Sequence, residues 1–504
     1  MSLTPRRQSP ATERSSSPPT ETPSSPAAER ASPQAAAASP AAPLYSRAVP
    51  APARRFLAGL GKALRARPGL AAAALVALMS VALWNRGTTY IEEVSSTLVG
   101  IRQLLADDSQ HYLDIADDFR SGDFSMSFVA PGGGEAADRA HRQPAYPAVL
   151  AVAEACGLSG APALARVNLM LVVATLWVAF AVGTWVCGNA LAGALAAGLV
   201  YQAEFLFDIA TAHLLTEPLY VLISTATVGA ALSYLKKKRL RALLVFAALA
   251  ALAYLTRVNG LFLTAGLAVA MVASDVRALR SAVPAGAGDA PQLRVSDQAG
   301  EVDPDEEEQE EEQEDRPLLP LVKYGAAIAL FLVVASPSWV PRLLYAGNPV
   351  YHGYLSNYVW VDGYEAAHLP GPPRYSWSTY WSDHSVIDAA RRLGHGIAHV
   401  YWDTPRTKIG EGGSLVAAIA ILALVVARDE AALWLLLAAF LQALPLAWTA
   451  MSNDTRRVPA AALLPFLTVL TAAAAARWMR TARRGSAPVH LAENHVEAAP
   501  ALGD

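Results

Sequence analysis

Apolar runs of about 17–25 residues recur along the chain and alternate with short polar or basic segments. Each run is long enough to cross the hydrocarbon core of a bilayer as an α-helix. The pattern therefore predicts an all-α polytopic membrane protein with about ten membrane-spanning helices. We place them at 68–85, 163–186, 188–206, 217–235, a run ending near 254, 258–274, 320–345, 413–427, 430–450 and 458–477.

The composition supports a membrane protein. Hydrophobic residues make up 53% of the 504 residues and charged residues only 16%, whereas soluble domains carry about 25% charged residues. The two cysteines, Cys156 and Cys187, lie in or near apolar segments. They provide neither a disulfide framework nor a metal-ligand spacing. Because a long polar tail precedes the first apolar run, we expect no secretory signal peptide.

The net charge of −3 is due to one acidic segment, and the rest of the chain is basic. Residues 301–315 hold eleven acidic side chains and no basic one, and without them 40 basic residues face 32 acidic ones. The basic clusters at 54–67, 236–241 and 477–484 all fall on one side when the spans alternate. Since cytoplasmic loops are enriched in Lys and Arg, we predict that this side and both termini are cytoplasmic. The Ala- and Arg-rich composition suggests a bacterial inner membrane.

Breaks in composition divide the chain into modules. We predict a disordered Pro/Ser/Ala-rich tail at 1–50, an N-terminal transmembrane module at 51–275 with an outer loop at 86–162, an acidic cytoplasmic linker at 276–318, a C-terminal transmembrane module at 319–480 with an aromatic outer loop at 346–411, and a cytoplasmic tail at 481–504. Charge runs such as 301–315 are usually solvated linkers, and binding of a basic partner is the alternative.

Two adjacent acids, Asp107 and Asp108, open the first outer loop. Apolar residues follow at spacings of three and four, which predicts an amphipathic helix at the membrane interface with Ile115 and Phe119 in lipid. A mixed-polarity segment later in the loop is its expected packing partner. The acids can bind a divalent cation or accept a proton from a hydroxyl. Helix capping is the alternative, because Asp107 and Gln110 fit a capping-box pattern.

The outer end of the fourth span also carries an acid. Glu217 begins this span and precedes Pro218, which suits the first turn of a helix. Asp208 and His213 are polar candidates close by in the sequence. An acid at a helix N-terminus is ordinary, so a purely structural role is the alternative. The functional interpretation rests on topology, because this loop and the loop of Asp108 are predicted on the same face.

Arginines are predicted on that face as well. Arg257 ends the fifth span, and Arg456 and Arg457 begin the last one. Positive charge is disfavoured on the outer side, so these residues are informative. Boundary arginines often pair with phosphate or carboxylate, and snorkelling towards headgroups is the alternative.

The second outer loop contributes aromatic side chains, among them Tyr351 and Tyr354. Such side chains stack on sugar rings or form an interfacial belt. Acids, arginines and aromatics together suit a metal ion, a lipid phosphate and a sugar. Neither a P-loop nor a G-x-G-x-x-G motif occurs, so nucleotide binding is not indicated, and we expect no nucleic-acid partner.

Seven segments in order resemble motifs of the polytopic GT-C glycosyltransferases. They are "DDSQHYLDIADDFRSGDF", "RQPAYPAVLAV", "ARVNLML", "LLTEPLY", "LTRVNGLFL", "YAGNPVYHGY" and "NDTRRVPAAALLPFL". The resemblance extends over residues 70–480. It points in particular to the bacterial protein mannosyltransferase and aminoarabinose transferase group, glycosyltransferase family 39. The chain has "TRVNG" where some relatives have "TRPEG" or "TRPNG".

The resemblance implies a GT-C-type bundle whose two long outer loops carry juxtamembrane helices. It implies transfer of a sugar, with inversion, from a polyprenyl-phosphate donor to a glycan, lipid or protein acceptor at the outer face, among membrane lipids. The implied residues are catalytic Asp107, Asp108 and Glu217; donor-phosphate-binding Arg257 and Arg457; substrate-binding Tyr112, His213, Tyr351 and Tyr354; and, for a divalent Mg²⁺ or Mn²⁺ cofactor, Asp108 and Glu217. Either Asp107 or Asp108 can be the catalytic acid, and sugar and acceptor stay open.

A non-enzymatic transporter or flippase of lipid-linked sugars is the alternative function. It accounts for the number of spans and the boundary arginines. A transporter typically has polar residues near span midpoints, or Gly/Pro-broken helices in matching halves. The spans of this chain consist mostly of Ala, Leu and Val.

Overall fold

The computed structural model describes residues 67–105, 107–124, 142–282, 320–346, 360, 377–449 and 457–485. These residues are mostly α-helical, and none of them forms a β-strand. All belong to one compact unit, Leu60–Asp504, and the other unit, Met1–Gly59, contains none of them. The predicted tail at 1–50, the acidic run at 301–315, Tyr351, Tyr354 and Arg456 lie outside the described residues.

The described helices lie between residues 68 and 485. In chain order they are α1 (Pro68–Ser95), α2 (Leu98–Leu104), α3 (Asp107–Arg120), α4 (Ala145–Ala155), α5 (Ala161–Cys187), α6 (Ala190–Tyr201), α7 (Glu204–Ala212), α8 (Glu217–Lys237), α9 (Leu240–Thr256), α10 (Asn259–Ala282), α11 (Pro320–Ala346), α12 (Trp377–Asp383), α13 (Val386–Ala398), α14 (Glu411–Val426), α15 (Glu430–Thr449) and α16 (Arg457–Gly485). Two π-helical turns, His399–Asp403 and Pro405–Ile409, connect α13 to α14.

Seven of these helices are long and apolar enough to cross a membrane: α1, α5, α8, α10, α11, α15 and α16. The pair α6 and α7 adds an eighth if it counts as one span, and α9 and α14 are shorter apolar helices. The prediction of an all-α integral membrane protein is confirmed. The layout of about ten spans stays a prediction, because three of its members are short or broken.

The predicted third span, 188–206, is not one straight helix. It breaks after Tyr201, and α6 and α7 meet at an angle of 56°. The break falls where Gln202 and Glu204 interrupt the apolar run, and the amide of Glu204 bonds to the carbonyl of Gln202. The first span also differs, because α1 continues as a helix to Ser95, beyond the predicted end at 85.

The two most buried spans, α8 and α16, pack against each other in the centre of the bundle. Each begins with a charged residue, Glu217 in α8 and Arg457 in α16. Between helices in a bilayer, van der Waals packing supplies much of the driving force, and small residues permit the close contact that it needs. A Cβ added to Gly183 of α5 would lie 2.6 Å from the Cα of Gly193 in α6, so those two backbones touch.

Basic residues gather at the opposite end of the bundle. The Nη1 atom of Arg480 lies 3.3 Å from the carbonyl oxygen of Cys187. The Nζ atom of Lys236 lies 3.3 Å from the carbonyl oxygen of Val186. The predicted basic clusters at 236–241 and 477–484 therefore lie at one end, and Glu217 and Arg457 lie at the other. Which end faces the cytoplasm stays a prediction.

Candidate active site

Five charged side chains meet at the end of the bundle where α8 and α16 begin. We call Asp108, Arg142, Glu217, Arg257 and Arg457 the acid–arginine cluster. Ion pairs connect them in one chain, from Arg257 to Glu217, on to Arg457, then Asp108 and Arg142. The structure thus brings together four residues singled out in the sequence, which come from α3, α8, the end of α9 and α16.

Glu217 is the most buried member, with 1% of its side chain exposed. Its Oε1 atom lies 2.8 Å from Nη1 of Arg257 and 3.3 Å from Nε of Arg457. The same Nη1 of Arg257 donates to Oγ1 of Thr216 at 2.7 Å. Thr216 is the N-cap residue of α8, and its side chain does not cap the helix. The Oε2 atom of Glu217 makes no hydrogen bond to any described residue.

Asp108 is more accessible, with 39% of its side chain exposed. Its Oδ1 atom accepts a hydrogen bond from Nη2 of Arg142, and its Oδ2 atom accepts one from Nη2 of Arg457 at 3.1 Å. Burial alone would raise the pKa of Asp108, but Arg142, Arg457 and Arg257 together hold that pKa below its ordinary value. The carboxylate is therefore ionised at neutral pH.

Arg142 is the member that sequence reasoning did not single out. It lies just before α4, donates to the hydroxyl of Tyr112 at 3.3 Å and stacks over that ring. Its backbone carbonyl accepts a hydrogen bond from Nη2 of Arg342 at 3.3 Å, and the hydroxyl of Ser338 donates to Oε1 of Gln143 at 2.8 Å. The C-terminal part of α11 thus fixes the segment that presents Arg142.

The two predicted substrate-binding residues that the structure describes also lie at this end. Tyr112 is buried, with its ring edge-on to Tyr146 at 5.2 Å between centroids. The hydroxyl of Tyr146 donates to Oδ1 of Asn168 at 3.0 Å, and the amide of Asn168 donates to the carbonyl of His213 at 3.2 Å. Burial and then Arg457 lower the pKa of the His213 imidazole, so this ring is neutral at pH 7.

The structure corrects one expectation for α3. Ile115 was expected in lipid but is fully buried against protein, because α3 packs on α4. Gln110 belongs to the alternative capping-box pattern, and in the structure its amide nitrogen donates to Oδ1 of Asp114 at 2.8 Å. Asp107 begins the helix, and its side chain lies outside what the structure describes, so its role stays a prediction. Of the predicted site residues in the second outer loop, neither Tyr351 nor Tyr354 is described.

The described donor set does not fit a divalent cation held between Asp108 and Glu217. Arg457 contacts both carboxylates, and a cation there would meet its guanidinium. Within the described part of the chain, no group of three or more His, Cys, Asp or Glu side chains could hold a metal ion.

The charges of the cluster do not cancel. Three guanidinium groups face two carboxylates, so the site carries a surplus positive charge beside a partly exposed acid. Such a site suits an anion with oxygen atoms, for which arginine is the preferred partner. Fold and site together define an all-α integral membrane protein with a charged site at one end of its bundle. No protein-family model, curated protein or solved structure matches this chain.

Proposed function

We propose that this chain is a membrane glycosyltransferase that takes a sugar from a polyprenyl-phosphate donor and transfers it to an acceptor hydroxyl, with inversion at the anomeric carbon. The observation that carries the proposal is the position of Arg457. Its guanidinium lies 3.1 Å from the acid Asp108 and 3.3 Å from Oε1 of the buried acid Glu217, and Arg257 lies 2.8 Å from the same Oε1 atom. A candidate base and candidate phosphate ligands are therefore neighbours.

The arginines are proposed to bind the donor phosphate. In the reaction the bond between the anomeric carbon and the phosphate oxygen breaks, and the polyprenyl phosphate leaves with the electron pair. Its negative charge grows in the transition state, where Arg257 and Arg457 stabilise it. Glu217 pairs with both guanidinium groups, which fixes their positions and compensates their buried positive charge.

Asp108 is proposed to act on the acceptor. It is ionised and partly exposed, so it can accept a hydrogen bond from the incoming hydroxyl. As the new bond to the anomeric carbon forms, the hydroxyl proton becomes acidic and passes to Asp108, and from there to solvent. The low pKa makes Asp108 a weak base, which suits a proton transfer that occurs late, when the attacking oxygen is already positive.

The test compares cell-envelope glycans and glycolipids by mass spectrometry in a deletion strain. The strain is complemented with the native protein, with Asp108→Asn, or with Asp117→Asn as the matched control. Asp117 lies on the same helix, is 68% exposed and pairs with Arg120. We expect one sugar residue to disappear on deletion and return with the native and Asp117→Asn proteins only. Full restoration by Asp108→Asn would exclude catalysis by this acid.

Transport of a lipid-linked sugar is the second candidate, and the bent pair α6 and α7 favours it. Broken helices are a feature of transporters, where they line substrate sites. Proteoliposomes with a fluorescent polyprenyl-phosphate sugar separate the two functions. A transporter moves the lipid between leaflets and leaves the sugar–phosphate bond intact. A transferase releases polyprenyl phosphate only when acceptor is present.

A further inference from the structure

A polar groove lies between α1 and α7, outside the acid–arginine cluster. It has a volume of about 520 Å³, and its lining residues are Asn85, Arg86, Thr89, Tyr90, Glu93, Phe207 and Asp208. We call it the α1–α7 groove. None of these residues has a role in the proposed transfer. The bend between α6 and α7 sets the direction of α7, which presents Phe207 and Asp208 towards α1.

The wall of the groove is aromatic and rigid. Phe207 is buried, with 6% of its surface exposed, and the guanidinium carbon of Arg86 lies 4.1 Å from its ring centroid. Tyr90 lies beside it, with ring centroids 5.9 Å apart, and 38% of Tyr90 is exposed. One face of the groove is therefore fixed by packing, and its exposed ring is available for stacking.

The polar side chains of the groove have hydrogen-bonding capacity left over. The carboxylates of Glu93 and Asp208 form neither a hydrogen bond nor an ion pair with any described residue. The side chain of Asn85 makes no hydrogen bond to a described residue, and its backbone carbonyl accepts from Oγ1 of Thr88 at 3.1 Å and Oγ1 of Thr89 at 2.9 Å. Carboxylates and amides beside an exposed aromatic ring match a sugar, whose hydroxyls donate and accept while its C–H face stacks.

The groove is connected to the acid–arginine cluster along the chain. Asp208 is nine residues before Glu217, and the segment between them is held in place. The amide of Leu214 donates to the hydroxyl of Ser109 at 3.3 Å, next to Asp108. The carbonyl of His213 accepts from Asn168 at 3.2 Å. A ligand in the groove would thus lie next to a segment that is fixed to both candidate acids.

We propose that the α1–α7 groove binds a sugar residue of the acceptor, so that a glycan or glycolipid is held while its hydroxyl is presented to Asp108. That the bound sugar belongs to the acceptor rests on the proposed transferase function. That the groove binds a sugar rests on the groove alone. Tyr90 stacks on the ring, and Glu93 and Asp208 accept hydrogen bonds from its hydroxyls. Neutral sugars fit better than phosphates, because the two carboxylates outnumber the one guanidinium in the lining, that of Arg86, and would repel an anion.

The binding test uses purified protein in detergent and saturation-transfer difference NMR with four probes. They are the methyl α-pyranosides of mannose, glucose and galactose, and methyl α-arabinofuranoside. We expect at least one probe to give a signal that falls about tenfold in Tyr90→Ala and in Asp208→Asn. The matched control is Glu92→Gln, because Glu92 is an exposed neighbour that pairs with Arg166 at 3.3 Å outside the groove. No signal from any probe, or equal signals in all variants, overturns the proposal.

Kinetics separate this inference from the proposed function. In the transfer assay, the groove variants are expected to raise the acceptor KM about tenfold and leave the donor KM unchanged. An unchanged acceptor KM refutes the groove while transfer itself stands. If the native protein shows no transfer but Tyr90→Ala still abolishes probe binding, the proposed function fails and the sugar site remains. Tyr90 and Asp208 lie at the surface, so we expect both variants to fold. Thermal unfolding of each variant checks this.

Discussion

The two ends of the bundle treat a carboxylate in different ways. At the basic end, Asp275 accepts from Nζ of Lys238 at 2.6 Å and from the hydroxyls of Tyr234 at 2.5 Å and Tyr324 at 2.8 Å. We call these four residues the Asp275 hub. One charge meets one opposite charge there, and neutral donors occupy the second carboxylate oxygen. In the acid–arginine cluster, the Oε2 atom of buried Glu217 makes no hydrogen bond to a described residue.

This difference separates a structural network from a candidate site. A satisfied network such as the Asp275 hub joins helices and leaves no capacity for a ligand. The acid–arginine cluster keeps a surplus positive charge and an unsatisfied carboxylate oxygen in a largely buried position, which costs stability unless a ligand completes it. Proteins retain such costs mainly where function uses them. Five substitutions test this contrast.

The largest effect is expected on catalysis. Asp108→Asn should lower the rate of sugar transfer about 10²- to 10⁴-fold, the usual range for loss of a general base. Because the Asp108 carboxylate also pairs with Arg142 and Arg457, thermal unfolding is measured alongside, and rates are compared at a temperature where both proteins are folded. The assay follows release of polyprenyl phosphate by purified protein with donor and acceptor. Asp275→Asn is the control at the basic end. If it slows transfer as much as Asp108→Asn does, the two ends do not differ in their role in catalysis.

The second effect is on stability. Glu217→Gln leaves Arg257 and Arg457 without their buried counter-charge, and we expect a loss of about 3–5 kcal/mol. Asp275→Asn keeps an oxygen for the tyrosine hydroxyls and leaves a lysine that is 36% exposed, so about 1–3 kcal/mol is expected. Chemical denaturation in detergent, followed by circular dichroism, measures both. A greater loss for Asp275→Asn would contradict the contrast.

The third effect concerns the donor. Arg257→Lys keeps the charge but loses the planar fork, so the donor KM should rise about tenfold. Arg477→Lys is the matched control at the basic end, where Arg477 bonds to the carbonyl of Ala427 at 3.0 Å. That variant should leave the donor KM unchanged. Titration of donor at saturating acceptor gives both values, and equal KM values would remove Arg257 from the phosphate site.

The sequence predicted the fold where apolar length decides it. Runs of the length of a bilayer are unambiguous, and α5, α8 and α11 follow the predicted spans 163–186, 217–235 and 320–345 within two residues. The break between α6 and α7 was missed because mean hydropathy reports how apolar a run is, and not whether its backbone bends.

The candidate site was predictable in part for a related reason. Glu217, Arg257 and Arg457 interrupt the apolar pattern at span ends, and alternation of spans places those ends together. Arg142 and Arg342 were not singled out, because their importance lies in contacts between segments 200 residues apart in the chain. In the sequence, Arg142 is marked only by its place at the start of the segment "RQPAYPAVLAV". No local sequence pattern predicts its contact with Arg342.

The fourth effect concerns pH. The arginines lower the pKa of Asp108, so its ionised form and the stability it gives persist at neutral pH. Both are lost only as the pH falls through that lowered pKa. Arg142→Gln removes a lowering charge while burial still raises the pKa, so the acid limb of kcat/KM should move to higher pH. Arg120→Gln, on the same helix as Asp108, should leave the acid limb unchanged. Identical acid limbs in the native protein and in Arg142→Gln would show that Asp108 is not the group that titrates in kcat/KM.

The smallest effect is expected from the support of Arg142. Ser338→Ala removes the hydrogen bond to Gln143 and the one accepted from Arg342, and we expect a loss of about 2 kcal/mol in stability. Because Arg142 would be less well fixed against Asp108, kcat should fall a few-fold and the acid limb should rise slightly, with the donor KM unchanged. A purely structural bond would lower the melting temperature without moving the pH profile. Ser274→Ala, which removes a partner of Lys238 at 2.7 Å in the basic end, provides that reference.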